Sequence, residues 1–467
     1  MPVVSASKRF VLRAVVLALA CIAARGDVKL AGMFGDNMVL QRDVPVKVWG
    51  SASPGEKVRA TLDGKPVSEA TAEDGRFTLE LPPQKAGGPH ELRIHGANEL
   101  RLANVMFGEV WLCAGQSNMG MSIAAAVDGQ REVGKLPKLD LRVLNVPETP
   151  APEPASDVEG RWFVCRSADA DRVSAVAYFF ASDLHAALNV PIGLIEATGG
   201  GTTAEAWTDA EAMKSNPALK PSVQRAARKE RSRPGALFNG MVVPLGQLAL
   251  KGVIWYQGES NTAYPEQYRT LFPLLIQSWR KAFARDELPF LFVQLPGCGK
   301  PDAEPGRSEW AETREAQTLA LALPHTGMAV AIDVGDVDIH PPRKREIGER
   351  LARLARSRVY GDAKVFDQGP TFASASFDGG SAVVRFDHAD GGLKAARGEK
   401  VSGFSLAGAD GRFAWADARI EGDHVIVRSL AVPKPAAVRY GWSDNPPCNL
   451  YNGEGLPAAP FRSDAPR

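Results

Sequence analysis

Gly108-Glu109-Val110-Trp111-Leu112-Cys113-Ala114-Gly115-Gln116-Ser117-Asn118-Met119-Gly120 is the stretch whose reading decides the fold. An apolar run, Val110 to Ala114, stops at Gly115-Gln116-Ser117-Asn118, and a helix-compatible segment follows. This predicts a buried strand that delivers the Ser117 hydroxyl onto a sharp turn at its C-terminal end. In open α/β sheets that is the edge where ligands bind. A serine displayed there can act as a nucleophile if a base lies within reach. Most serines at strand-to-helix turns instead cap the next helix, so the other strand ends have to decide.

Working outward, the apolar runs Ile192–Ala197, Gly252–Tyr256, Phe290–Leu295 and Met328–Ile332 alternate with helical segments Ser174–Leu188, Pro265–Phe283, Ala311–Leu323 and Arg345–Arg358. Strands separated by helices imply βαβ units and a mainly parallel sheet covered by helices. Besides the Ser117 turn, three strands end in polar or glycine-rich clusters. These are Thr198-Gly199-Gly200-Gly201-Thr202, Gln257-Gly258-Glu259-Ser260-Asn261 and Asp333 to His340. The strand-end rule gathers all of them on one edge with Ser117.

The flanks have a different period. Val44–Gly50, Val58–Leu62 and Phe77–Leu81 alternate apolar and polar residues around Pro54-Gly55, Asp63-Gly64 and Asp74-Gly75 turns. After Tyr360 the pattern returns in Ala382–Phe386, His424–Val427 and Ala437–Tyr440, and Ser443–Arg467 reads as coil against another domain. The expected layout is a leader over 1–26, an N-terminal β domain over 27–104, an α/β domain over 105–360 and a C-terminal β domain over 361–467.

Residues 1–26 carry four basic and no acidic residues around an apolar stretch from Val11 to Ala24, the layout of a secretory signal peptide. The expected location is periplasmic or secreted. Cys21 after Ala18-Leu19-Ala20 only faintly suggests a lipoprotein box. No later run is long enough to span a membrane. With 55 basic against 54 acidic residues and no basic block, nucleic acid is not an expected partner. Cys113, Cys165, Cys298 and Cys448 are too few to be a disulfide framework, and the seven scattered histidines offer no zinc-ligand spacing. No metal or other cofactor is expected.

A serine hydroxyl needs a base, commonly a histidine oriented by a carboxylate. His340 alone among the histidines follows a strand amid acids: Asp338 two positions before it, then Asp336 and Asp333. Backbone amides at Ser117 and in Gly199–Gly201, and the Gln257 side chain, can serve a developing oxyanion. Glu259 reads as a buried loop anchor rather than a base.

The G-x-S-x-G elbow fails at Met119. Gly115-Gln116-Ser117-Asn118-Met119, Gly200 to Trp207, Leu237-Phe238-Asn239-Gly240-Met241, Trp255 to Asn261 and Asp338-Ile339-His340-Pro341 together resemble the sialate O-acetylesterase family of the SGNH/GDSL hydrolases. The resemblance runs from about Leu30 to Phe461. It implies an SGNH-type three-layer α/β/α domain with accessory β-sandwich-like domains. It further implies metal-free removal of O-acetyl groups from sugars, with sialic acid as the substrate, or acetylated xylan as the alternative. Ser117 matches the nucleophile, His340 the base and Gly200 an oxyanion contributor. The broader superfamily places its acid three residues before the histidine, where this chain has Val337. Asp338 is the substitute, with Asp336, Asp333 or a Ser-His dyad still open. Trp207, Asn239 and Arg314 become candidate substrate contacts. A non-catalytic carbohydrate-binding protein is the remaining alternative, disfavoured by the intact Ser117, His340 and Gln257.

Overall fold

The computed structural model describes residues 27–135, 140–396, 398 and 400–464; the expected leader and Cys21 lie outside them. At the centre is an 11-stranded sheet. Seven of its strands are β1 (Glu99–Gly115), β2 (Leu141–Asn145), β3 (Trp162–Val164), β4 (Ile192–Thr198), β5 (Gly252–Tyr256), β6 (Phe290–Val293) and β7 (Thr326–Ala329). They lie in the order β3-β2-β4-β1-β5-β6-β7, all parallel except the β3–β2 pair. Chain order thus reverses direction at β1, which has β4 on one side and β5 on the other. That is a topological switch point, where strand-end loops diverge and leave a crevice.

The alternation within the quoted stretch explains why β1 sits inside. Val110, Leu112 and Ala114 enter one hydrophobic core, and Trp111 and Cys113 enter the other. Helices supply both cores. α1 (Ala175–Leu188) and α4 (Arg345–Arg358) contribute Val176, Phe180, Leu351 and Leu354 on one face. α2 (Pro265–Ala282) contributes Phe272, Leu275 and Trp279 on the other, joined by Ala316 of α3 (Glu309–Leu319). Local signals set these helices. Ser174 and Ser308 accept the amides of Ala177 and Ala311 as N-caps, and α2 opens on Pro265 and ends with Arg280 and Lys281.

β2 and β3 were not among the strands read from the sequence; their runs are short and follow or precede polar, proline-rich chain. β7 ends at Ala329 rather than Ile332, because Ile332–Val334 wind into a 3-10 turn.

The N-terminal strands Val46–Ser51, Lys57–Leu62 and Arg76–Leu81 form where alternation placed them, and the Asp63-Gly64 turn has the two positive φ angles of a type I′ hairpin. The expected boundary at 104/105 falls inside one strand, however. β1 runs unbroken through 17 residues: its first half pairs with Gly87–His95 and its second half with β4 and β5. The β module and the α/β layer therefore share a sheet and a core. After α4, a five-stranded and a four-stranded sheet enclose a third core including Val384, Leu406, Val425 and Tyr440. Over its described residues, 443–464, the tail is coil apart from Leu450–Asn452 and Phe461–Arg462. The described cysteines are all unpaired, and no described helix is long and apolar enough to cross a membrane.

Glu196, on β4 between β1 and β2, is buried and accepts the Ser174 amide. Burial raises its pKa to about 8. Between the unfolded carboxylate range and that value, the unfolded chain releases a proton that the native state keeps, so stability falls as pH rises. Chemical denaturation at pH 5 and pH 8 should show this loss in the wild type, on the order of 3 kcal/mol or less. It should be largely absent in Glu196→Gln.

Candidate active site

The Ser117 turn depends on a close backbone approach. Gly115 has φ of +145°, and a Cβ there would stand 2.0 Å from the carbonyl oxygen of Tyr256 on β5. Glycine alone allows this approach. The next amide, Gln116, then donates to that same carbonyl at 3.0 Å, and the chain enters a helical turn at Ser117–Gly120. As the first residue of a helical turn, Ser117 has an amide with no partner four residues back within the turn. Across the crevice, the Gly199 amide donates to the Gly115 carbonyl at 3.0 Å. This brings Gly200 so near that a Cβ on it would be 3.7 Å from the Ser117 Cβ.

His340 arrives from the loop after β7. Its Nε2 lies 2.8 Å from Ser117 Oγ. Of the three nearby acids, Asp338 is beside the imidazole: its Oδ1 is 3.4 Å from Nδ1 and accepts the His340 amide at 2.7 Å. The ring contact is longer than a good hydrogen bond, and the Asp338 side chain is 71% exposed. Asp336 accepts the neighbouring Val337 amide. Asp333 faces away, bound by both guanidinium nitrogens of Arg350 at 2.7 Å and by the Tyr451 hydroxyl at 2.9 Å. Burial pushes its carboxyl up, but Arg350 and Tyr451 outweigh this and hold it below the usual range.

Behind the pair lies a buried polar cluster. Asn118 donates through Nδ2 to Glu259 Oε1 and, at 2.9 Å, to the carbonyl of Ile339, and its Oδ1 accepts from Lys344 Nζ. Glu259 is the buried loop anchor read from the sequence. Asn118 and Lys344 were missed as site residues. The readable signal was Lys344 itself, a cation at the start of a helix, where the helix dipole disfavours positive charge.

Four expected contacts are corrected. Gln257 has no exposed surface; its Nε2 donates to Asn261 Oδ1 at 2.8 Å and the Thr202 carbonyl at 3.4 Å, and its Oε1 accepts from the Tyr268 hydroxyl. With both amide hydrogens committed inside the protein, it braces the glycine loop and is not aimed at an oxyanion. Trp207 is core, packed edge-on to Trp255 with its indole N–H on Thr202 Oγ1. Asn239 ties down the chain at Ala151 and Pro152. Arg314 is fully buried and donates to the carbonyls of Leu295, Pro296, Ser443 and Asp444, fastening the C-terminal segment to the strand-end loops. Its helix is rich in polar residues, Glu309, Glu312, Glu315 and Gln317 among them, so one more charge there carries no cue to burial. One exposed guanidinium beside the site is Arg231, which is paired with Glu148 through two contacts of 2.7 Å and lies 3.3 Å from the Gly200 carbonyl.

Residues 107–357 match the carbohydrate esterase family of sialic acid-specific acetylesterases. The sialate O-acetylesterase of Pongo abelii is 31% identical over 93% of this chain and 92% of its own length. The chain belongs to the sialate O-acetylesterase family. The Homo sapiens sialate O-acetylesterase is 30% identical over the same shares. The crystal structure of a carbohydrate acetylesterase from Xanthomonas citri superposes with a TM-score of 0.87 at 42% identity, covering 94% of this chain and all of that one. As a sialate O-acetylesterase family member, the protein is a carboxylic ester hydrolase of mixed α/β fold with a large central sheet.

The two acids are separable by mutation. Asp338→Asn is expected to lower kcat by about tenfold or less, since a solvated carboxylate orients the ring weakly. Asp333→Asn should chiefly lower stability, because it leaves the buried Arg350 charge without its partner. Steady-state kinetics and melting curves on both variants check the assignment.

Proposed function

We propose that this protein is a serine esterase that removes O-acetyl groups from carbohydrate, with O-acetylated sialic acid as its substrate. One observation carries the reading: the 2.8 Å contact between Ser117 Oγ and His340 Nε2 at the switch-point crevice. In the mechanism, His340 takes the Ser117 proton as Oγ attacks the acetyl carbonyl. The amides of Ser117 and Gly200 receive the oxyanion, whose stabilisation is a large part of acyl-transfer catalysis. The imidazolium, with Asp338 beside it, returns the proton to the departing sugar hydroxyl. Water, deprotonated by His340, then releases acetate from acetyl-Ser117.

The sugar assignment rests on the names of the relatives and on Arg231. A sialate carries a carboxylate, which arginine recognises well. Arg231 is more than half exposed and touches the carbonyl of Gly200. Acetylated xylan has the same ester chemistry but no such anion on its backbone sugars. The SGNH-type layering, which fits the helices on both faces of the sheet, belongs to the same reading, as do the accessory β domains, the export by the leader and the periplasmic or secreted location.

Ser117→Ala is expected to abolish hydrolysis of p-nitrophenyl acetate, with a loss of up to about 10⁶-fold in kcat; an unchanged rate sinks the assignment. Acetate release should be faster from O-acetylated sialic acid than from acetylated xylan. Arg231→Met should raise KM for the sialate several-fold while leaving p-nitrophenyl acetate nearly unaffected. Equal effects on charged and neutral substrates would remove Arg231 from recognition.

A further inference from the structure

Lys344 is costly where it stands. It has no exposed surface, it occupies the N-cap of α4 at the positive end of the helix dipole, and its side chain caps nothing there. Burial lowers its pKa to about 7, with the Glu259 carboxylate opposing that shift. Helix stability gives no reason to keep an ammonium at this position. Its hydrogen bond does: Nζ donates to Oδ1 of Asn118, the residue directly after Ser117.

The donor and acceptor inventory makes this contact directional. An ammonium only donates, so it fixes the Asn118 oxygen toward itself. The Asn118 NH₂ is then turned the other way, where its two hydrogens meet Glu259 Oε1 and the Ile339 carbonyl. Ile339 immediately precedes His340, and the peptide so gripped sets the level of the imidazole over Ser117. We propose that Lys344, when protonated, is a positioning residue for the Ser117–His340 pair, acting through the orientation of the Asn118 side-chain amide. A neutral amine can accept as well as donate. Deprotonation therefore replaces a charge-assisted hydrogen bond with a weaker one that no longer dictates which end of the amide faces the lysine, which loosens the grip on the Ile339 carbonyl and on the histidine loop.

The groups facing this cluster are few and come from several elements. Lys344 Nζ lies 5.2 Å from the Tyr256 ring on β5. Glu259 is held up by burial, with its second oxygen unpartnered among the described residues, and its field reaches Lys344, His340, Tyr256, Tyr268 and Cys298. The two tyrosine hydroxyls and the thiol are all pushed upward by burial, so they stay neutral across the range in which Lys344 titrates.

The inference rests on the serine-esterase reading, and the experiment separates the two. The profile of kcat against pH for p-nitrophenyl acetate, corrected for spontaneous hydrolysis, should fall between about pH 7 and 9 in the wild type. Lys344→Met should lower kcat by about 10²-fold at pH 7, the scale of a small misplacement of reacting groups. KM should stay within about twofold, and the alkaline fall should disappear. Lys344→Arg, which cannot lose its proton in this range, should recover part of the rate with a flat alkaline side. A wild-type kcat that stays level from pH 7 to 9 overturns the proposal without any variant. A Lys344→Met enzyme that melts like the wild type and keeps its rate, or keeps the alkaline fall, overturns it as well. If Ser117→Ala retains activity, it is the esterase assignment that fails instead.

Discussion

The packing of Gly115 against the carbonyl of Tyr256 is the contact on which the site depends. A backbone approach of this kind admits no side chain, and it turns the chain out of β1 within two residues. Ser117 is thereby carried just past the wholly buried second half of β1, and its hydroxyl still reaches the crevice. The glycine loop after β4 closes from one side through Gly199, and β5 supports the turn from the other. His340 has no such scaffold of its own. It sits on an exposed loop and is levelled from beneath by Asn118, so the rigidity of β1 is passed to the base by a side chain adjacent to the serine.

Much of this was legible in the sequence, and the reasons are local. Val110 to Ala114 alternates between two cores, and alternation combined with an abrupt glycine is a backbone signal needing no partner to be known. Asp63-Gly64 as a hairpin turn is of the same kind. Ser117 and His340 were readable because strand ends share an edge by topology. Gln257, Trp207, Asn239 and Arg314 were misread because a polar or aromatic residue near a site looks the same from the sequence whether it faces inward or outward. Arg314 illustrates this best: its four carbonyl partners come from residues up to 130 positions away. The same limit hid Lys344, whose partner lies 226 residues earlier.

The polar interior around the site is arranged by composition as much as by position. Glu196, Glu259 and Lys344 are ionisable groups that burial drives toward neutrality, whereas Asp333 and Arg350 keep their charges by pairing bidentately. The paired groups fasten loops to helices. Of the less fully paired ones, Glu259 and Lys344 meet at Asn118 beside Ser117 and His340, where a modest shift in proton affinity has chemical consequences.

The unbroken passage of β1 from the N-terminal β module into the central sheet also bears on how the chain reaches this state. β1 leaves the ribosome with its neighbours Val39–Gln41 and Gly87–His95 already made, so one half can pair at once. The other half must wait for β4 and then for β5, whose register with β1 ends at Tyr256 and Gly115. Non-local pairing of that kind slows folding. Until residue 256 has emerged, the segment bearing Ser117 is an apolar strand with an open edge, and unpaired edges of this type invite association with other chains. The serine turn therefore gains its shape only once more than half of the chain has emerged, although it stands about a quarter of the way along the sequence.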